Sequence, residues 1–249
     1  MQENLVAAVT AGGFGFGHVP ITDDFDTETM LGIISVDDSG SVSQFATDIE
    51  NMLKIVTQMN QSLPTKNKIM QRVTKFGDYV EEVHGIQPVD QIDTNKYTGV
   101  VQAGGMTALR DAVMDALEVS EKFCTDLIKQ DYDATACIFI ITDGCENNSH
   151  KCRSNTLVAD KIKALRVDEY AFTSAPIIVL IGINVKDQFV KGQLDTFAKE
   201  CCIDKFIAME DVTKSSLGKL AGLISQSFSS KSQNVTSKNV SQQVSQITI

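Results

Sequence analysis

Leu31-Gly-Ile-Ile-Ser-Val-Asp-Asp-Ser-Gly-Ser-Val42 is an apolar run that stops abruptly in two carboxylates, two hydroxyls and a glycine. Ile33 to Val36 is the size of one buried strand. Asp37, Ser39 and Ser41 then offer oxygen ligands at alternate positions, and Gly40 is read as the residue that permits a turn a bulkier side chain would resist. Carboxylate and hydroxyl oxygens are hard donors, suited to magnesium, manganese or calcium rather than zinc or copper. The same residues fit a plainer reading, since serine is favoured at helix N-caps whether or not a metal is present.

Downstream, Val42, Phe45, Ile49, Met52, Val56 and Met59 recur at spacings of three and four, the pattern of an amphipathic helix. A strand, a tight turn and a helix place the oxygen ligands at the carboxyl end of a strand, where open α/β sheets carry their sites. Pro64 and Asn67 close the helix. Residues 68–76 alternate (Ile69, Val73 and Phe76 among polar residues) and predict a strand near a sheet edge. Gly77-Asp78 reads as a turn, 79–83 as its hairpin partner, and 86–97 as polar and irregular.

Gly104-Gly105-Met106-Thr107 precedes a second helix with Leu109, Val113, Ala116, Leu117 and Leu127 on its apolar side. Cys137 to Ile141 is a continuous apolar run, as in a central parallel strand, and it ends at Thr142-Asp143-Gly144. A helix over 156–166, a strand over 177–183, a helix carrying Leu194, Phe197 and Ala198, a strand over 205–209 and a last helix over 215–228 follow. This alternation predicts an α/β fold: a doubly wound, mostly parallel sheet with helices on both faces and one β-hairpin edge. One domain over 28–228 accounts for all of it.

The two ends read differently. Residues 1–27 interleave Gly12, Gly13, Gly15 and Gly17 with Phe14, Phe16 and His18, then turn acidic at Asp23, Asp24 and Asp26, an irregular arm that either docks through its phenylalanines or stays a mobile leader. Residues 229–249 are a serine, glutamine and valine tail expected to be disordered, with a β-prone end at 244–249. The net charge of −10 disfavours a phosphate-tracking nucleic-acid binder. No run reaches membrane-spanning length, and no signal peptide is evident, so the expected compartment is the cytoplasm and the six cysteines are expected reduced.

Asp37-x-Ser39-x-Ser41 after the first strand, Thr107 in a glycine-rich loop and Asp143-Gly144 at the end of an apolar strand resemble the three motifs of the metal-ion-dependent adhesion site (MIDAS) of von Willebrand factor type A (VWA) domains. The phrases 104–112 and 142–149 resemble single-domain members from bacteria and their viruses, and the resemblance spans about four-fifths of the chain. Val42 stands where that motif commonly has methionine. The resemblance implies a Rossmann-like VWA fold holding magnesium, with manganese or calcium as alternatives. It implies direct ligation by the Ser39, Ser41 and Thr107 hydroxyls, with Asp37 and Asp143 neutralising the cation at least partly through waters. It implies, finally, a metal-dependent protein partner whose carboxylate fills the open position; with no nucleophile or base evident beside the site, no enzymatic activity is expected.

Plainer readings stand beside each element: Thr107 as a helix cap, Asp143-Gly144 as a simple turn. Asp38 is read as solvent-facing or as extra charge near the metal, Glu146 and Asn147 as partner contacts or loop solvation, and Cys145, His150 and Cys152 as incidental surface residues rather than a zinc site. Two other functions compete. Asp38-Ser39-Gly40 imitates the aspartate turn of subtilisin-like hydrolases, but the contexts of His84 and Thr107 do not match that family. An assembly subunit, of a virus or another particle, would use the two ends as tethers to form an oligomer.

Overall fold

The computed structural model describes residues 28–168 and 170–233, with backbone only for 229–233, and the backbone of four dipeptides nearer the N-terminus. Of the arm, Val6–Ala7 pairs antiparallel with Val19–Pro20, and Thr10–Ala11 with Phe14–Gly15. The rest of the arm and the tail beyond Gln233 lie outside the described residues.

The elements follow in the order β1 (Glu28–Asp37), α1 (Ala46–Gln61), β2 (Ile69–Phe76), β3 (Val80–Pro88), α2 (Leu109–Ile128), β4 (Asp133–Thr142), α3 (Asn155–Val167), β5 (Ile177–Gly182), α4 (Gln188–Glu200), β6 (Lys205–Ala208) and α5 (Lys214–Gln233). They build one six-stranded sheet in the order β6-β5-β4-β1-β2-β3, parallel throughout except for the β2–β3 hairpin. The order reverses between β1 and β4, so a crevice opens there at the carboxyl ends of the strands.

Period-two alternation sends successive side chains of the central strands into two separate cores. Leu31 and Ile33 of β1, with Ala136, Ile138 and Ile140 of β4, face α2, α3 and α4. Met30, Ile34 and Val36, with Cys137, Phe139 and Ile141, face α1 and α5. Both faces being covered, β1 reads as a continuous apolar run rather than as an alternation. Among the described residues no helix is long and apolar enough to cross a membrane.

The structure bears out one expectation, with a longer partner strand, and corrects another. Residues 69–76 lie near the sheet edge, one strand in from β3, and the hairpin partner expected over 79–83 runs on to Pro88. The polar residues of β2 are buried and satisfied. Arg72 is 1% exposed and pairs with Glu82 at 3.0 Å and Asp115 at 2.7 Å. Gln71 Nε2 donates to Thr57 Oγ1 at 2.7 Å and to Tyr97 Oη at 3.2 Å. Residues 86–97 are likewise ordered: after β3 come short 3₁₀ turns at Val89–Gln91 and Thr94–Tyr97, which seat Tyr97 in the core. Its hydroxyl lies 2.8 Å from His84 Nε2, and burial pushes the His84 imidazole down to about 4 and the Tyr97 phenol up to about 12.

Gly32 marks the closest approach of α5 to the sheet, since a Cβ there would lie 2.3 Å from the Phe228 ring. Gly32→Ala is expected to lower stability by about 1–3 kcal/mol through overpacking, read as a fall in the urea midpoint, with part recovered in Gly32→Ala/Phe228→Leu. An unchanged midpoint would contradict this packing.

Candidate metal centre

Asp37 closes β1 and is fully buried. Its Oδ1 accepts the Ser39 amide at 2.8 Å and its Oδ2 accepts the Thr142 hydroxyl. The chain then turns into a short 3₁₀ helix, Gly40–Phe45, for which Ser39 stands at the N-cap without making a side-chain capping bond. Instead Ser39 Oγ lies 3.0 Å from Ser41 Oγ, and Ser41 Oγ donates to Asp143 Oδ1 at 2.6 Å. Thr107 does not cap α2 either, because the N-cap position is Ala108. A Cβ added at Gly144 would lie 3.7 Å from Thr107 Oγ1 and 3.9 Å from Ser41 Oγ, so both hydroxyls converge beside that glycine. The structure thus brings Asp37, Ser39, Ser41, Thr107 and Asp143 together at the crevice between β1 and β4. Asp37, Ser39 and Thr107 form a buried floor, while Ser41 is exposed and Asp143 half-buried at the mouth.

Burial, with a further contribution from nearby Asp143, pushes the Asp37 carboxyl up to about 6, against lowering by its hydrogen bonds. Burial also raises Asp143. Among the described residues no lysine or arginine pairs with either; the nearby Lys75 ammonium is taken by Asp38 at 2.8 Å. Two acids and three hydroxyls around one hollow, with no basic side chain among them, fit a small hard dication that accepts oxygen ligands and keeps water. The described residues hold no cluster of three or more histidine, cysteine or acidic side chains of the kind zinc prefers.

Several neighbours have other roles than their sequence suggests. Gly40 adopts no left-handed conformation, and a Cβ there would meet only Gly105 O at 3.7 Å, so the turn does not require glycine. Asp38 is largely withdrawn from solvent: its Oδ1 accepts the amides of Gln102 at 2.6 Å and Ala103 at 2.8 Å, tying the Thr107 loop to the end of β1. Glu146 turns inward to accept the Arg110 amide at 2.7 Å, and Asn147 Oδ1 accepts the Thr107 amide at 2.7 Å, which commits both to the site's own scaffold. Cys152 is buried rather than on the surface, and its amide, with those of His150 and Lys151, is held by Asp111. No local pattern distinguishes these acids from solvated ones; their partners lie on other loops.

An open sheet wound this way, with an oxygen-lined hollow at its switch point, is the architecture of VWA domains, and this chain has that fold. Similar solved structures include a von Willebrand factor type A protein from Catenulispora acidiphila, with TM-score 0.57 and 13% identity over 80% of this chain and 43% of that one. The ArnB paralog VWA2 from Sulfolobus acidocaldarius matches with TM-score 0.50 and 16% identity over 77% of this chain and 44% of that one. Proximal thread matrix protein 1 from the mussel byssus, solved with a zinc-occupied MIDAS motif, matches with TM-score 0.52 and 18% identity over 81% of this chain and 46% of that one. The chain therefore spans less than half the length of each. No family model and no curated protein matches the sequence.

The Asp37 carboxyl moves from 3.8 when unfolded to about 6 in the folded, cation-free protein. The folded state then holds the proton more tightly, so this group's stabilising contribution is complete below pH 3.8 and lost as the pH rises through 6. Asp37→Asn can keep both hydrogen bonds if the Thr142 hydroxyl turns to donate to Gly144 O at 3.0 Å. In chelator at pH 7 the variant is expected to exceed wild type by about 2–3 kcal/mol in urea unfolding, with a flatter pH profile. A variant no more stable than wild type would contradict the strained carboxylate.

Proposed function

We propose that this chain is a divalent-cation-dependent protein-binding module, with magnesium held by Asp37, Ser39, Ser41, Thr107 and Asp143 and a carboxylate of another protein completing the coordination. The observation that carries this reading is the meeting of five oxygen-bearing side chains from three loops at one hollow, two of them acids without a basic partner among the described residues. Two carboxylates neutralise a dication without overcompensating it, so the bound ion retains affinity for a further anionic oxygen. The half-open mouth at Ser41 and Asp143 gives such a group access. Binding rather than chemistry is favoured because the residues a hydrolase would recruit are committed elsewhere. Both His84 ring nitrogens are engaged, by Gly85 O at 2.8 Å and Tyr97 Oη at 2.8 Å, and Asp38 holds backbone amides and Lys75. The six cysteines are all free, which suits a reducing compartment such as the cytoplasm.

Calorimetric titration of magnesium chloride into wild type, Thr107→Ala and Asp143→Ala tests the site. Both variants are expected to bind at least about tenfold more weakly, which is 1.4 kcal/mol or more; equal heats in all three would sink the proposal. In affinity capture, the partner is expected to be retained with magnesium and released by chelator. Capture indifferent to chelator would count against metal-dependent binding.

A further inference from the structure

Resting on that cation reading, we propose that the turn Gly77–Tyr79 between β2 and β3, which supplies no ligand, sets the geometry of the site, with Asp78 as its positioning residue. The turn touches all three ligand-bearing loops. Toward the first, a Cβ on Gly77 would lie 3.6 Å from Asp38 O, and the Asp38 amide donates at 2.8 Å to the carbonyl of Phe76, the β2 residue that leads into the turn. Toward the second, it holds the residues on either side of Thr107: the Met106 amide donates to Asp78 Oδ1 at 2.9 Å and the Ala108 amide to Gly77 O at 2.9 Å. Toward the third, Asn148 Nδ2 donates to the same Asp78 Oδ1 at 2.9 Å, and the Tyr79 ring stacks on His150 with centroids 5.5 Å apart.

One carboxylate oxygen therefore joins the Thr107 loop to the loop that follows Asp143. Those two loops are also joined directly: Thr107 O accepts the amides of Asn147 at 3.1 Å and Asn148 at 3.2 Å. The turn sits on two paired strands, a rigid base of the kind that fixes a site more closely than a loop can. Gly105 makes room for it, with φ +72 and a Cβ position 2.6 Å from Asp78 Oδ2. Residues that orient metal ligands from outside the coordination shell commonly change affinity by about ten- to a hundredfold when removed.

Because Oδ1 alone accepts both bonds, position and charge can be separated. Asparagine at 78 keeps the acceptor and removes the charge, whereas alanine removes both. Magnesium calorimetry on the full chain is expected to show Asp78→Ala weaker by about tenfold or more and Asp78→Asn within about threefold of wild type. Amide hydrogen exchange in chelator is expected to rise over 104–108 and 145–149 in Asp78→Ala but not in Asp78→Asn. Gly105→Ala leaves the Asp78 carboxylate in place but collides with it, and the same loss is expected, which serves as the second variant if Asp78→Ala does not fold. Wild-type affinity and exchange in Asp78→Ala or in Gly105→Ala would overturn the proposal. So would an Asp78→Asn as weak as Asp78→Ala, since charge rather than position would then matter. A wild type that takes up no magnesium defeats the cation reading instead, and the exchange data still decide whether the turn holds both loops.

Discussion

A carboxylate buried at the end of the central strand is the constraint on which this structure turns. Asp37 sits where β1 leaves the sheet, fully enclosed, with hydrogen bonds from Ser39 and the Thr142 hydroxyl but no basic partner among the described residues. Without a cation, that environment drives its pKa up and sets its charge against that of Asp143. A bound dication reverses the sign of the interaction: the same burial that weakens the isolated acid strengthens its hold on the ion. Such a site would be costly without a cation and stable with one, as the proposed cation-dependent binding requires.

The fold produces that arrangement through its winding. The reversal of strand order between β1 and β4 leaves a gap at their carboxyl ends, and the two acids come from those ends. Thr107 arrives from a loop with no strand of its own at the gap, so its place has to be imposed by other means. Asp38, Asp78, Asn147 and Glu146 impose it, each accepting backbone amides of the Thr107 loop or the first turn of α2. Acids that look like surface charge in the sequence act as hydrogen-bond acceptors for loop backbone, which is how an irregular segment avoids orphaned polar groups. The acidic balance of the chain is thus partly structural.

The residue types and spacing that made the candidate site legible were local: Asp37, Ser39 and Ser41 stand within one turn, and Thr107 and Asp143 each follow a recognisable glycine or apolar signal. The doubly wound sheet was legible for the same reason, since β1, β4 and β5 are apolar runs and the helices carry clear stripes. What escaped was any role decided by partners distant in sequence. The polar residues of β2 gave no sign of their burial, yet Gln71, Arg72 and Thr74 are each satisfied inside the fold, Thr74 by Ser35 across the β1–β2 pair at 2.5 Å. Asp38 was ambiguous, and Asp78 read only as part of a turn, for the reciprocal reason: nothing in the order of residues says that residues 102, 103 and 106 will bring their amides to them.

The central claim is that a divalent cation sits among these five oxygen-bearing side chains. Anomalous diffraction from crystals grown with manganese tests it directly. One strong peak is expected in the hollow beside Gly144, with Ser39 Oγ, Ser41 Oγ and Thr107 Oγ1 at about 2.1 Å, the distance of a magnesium-like ion. Ordered crystals with an empty hollow, or with manganese bound only elsewhere on the surface, would contradict it.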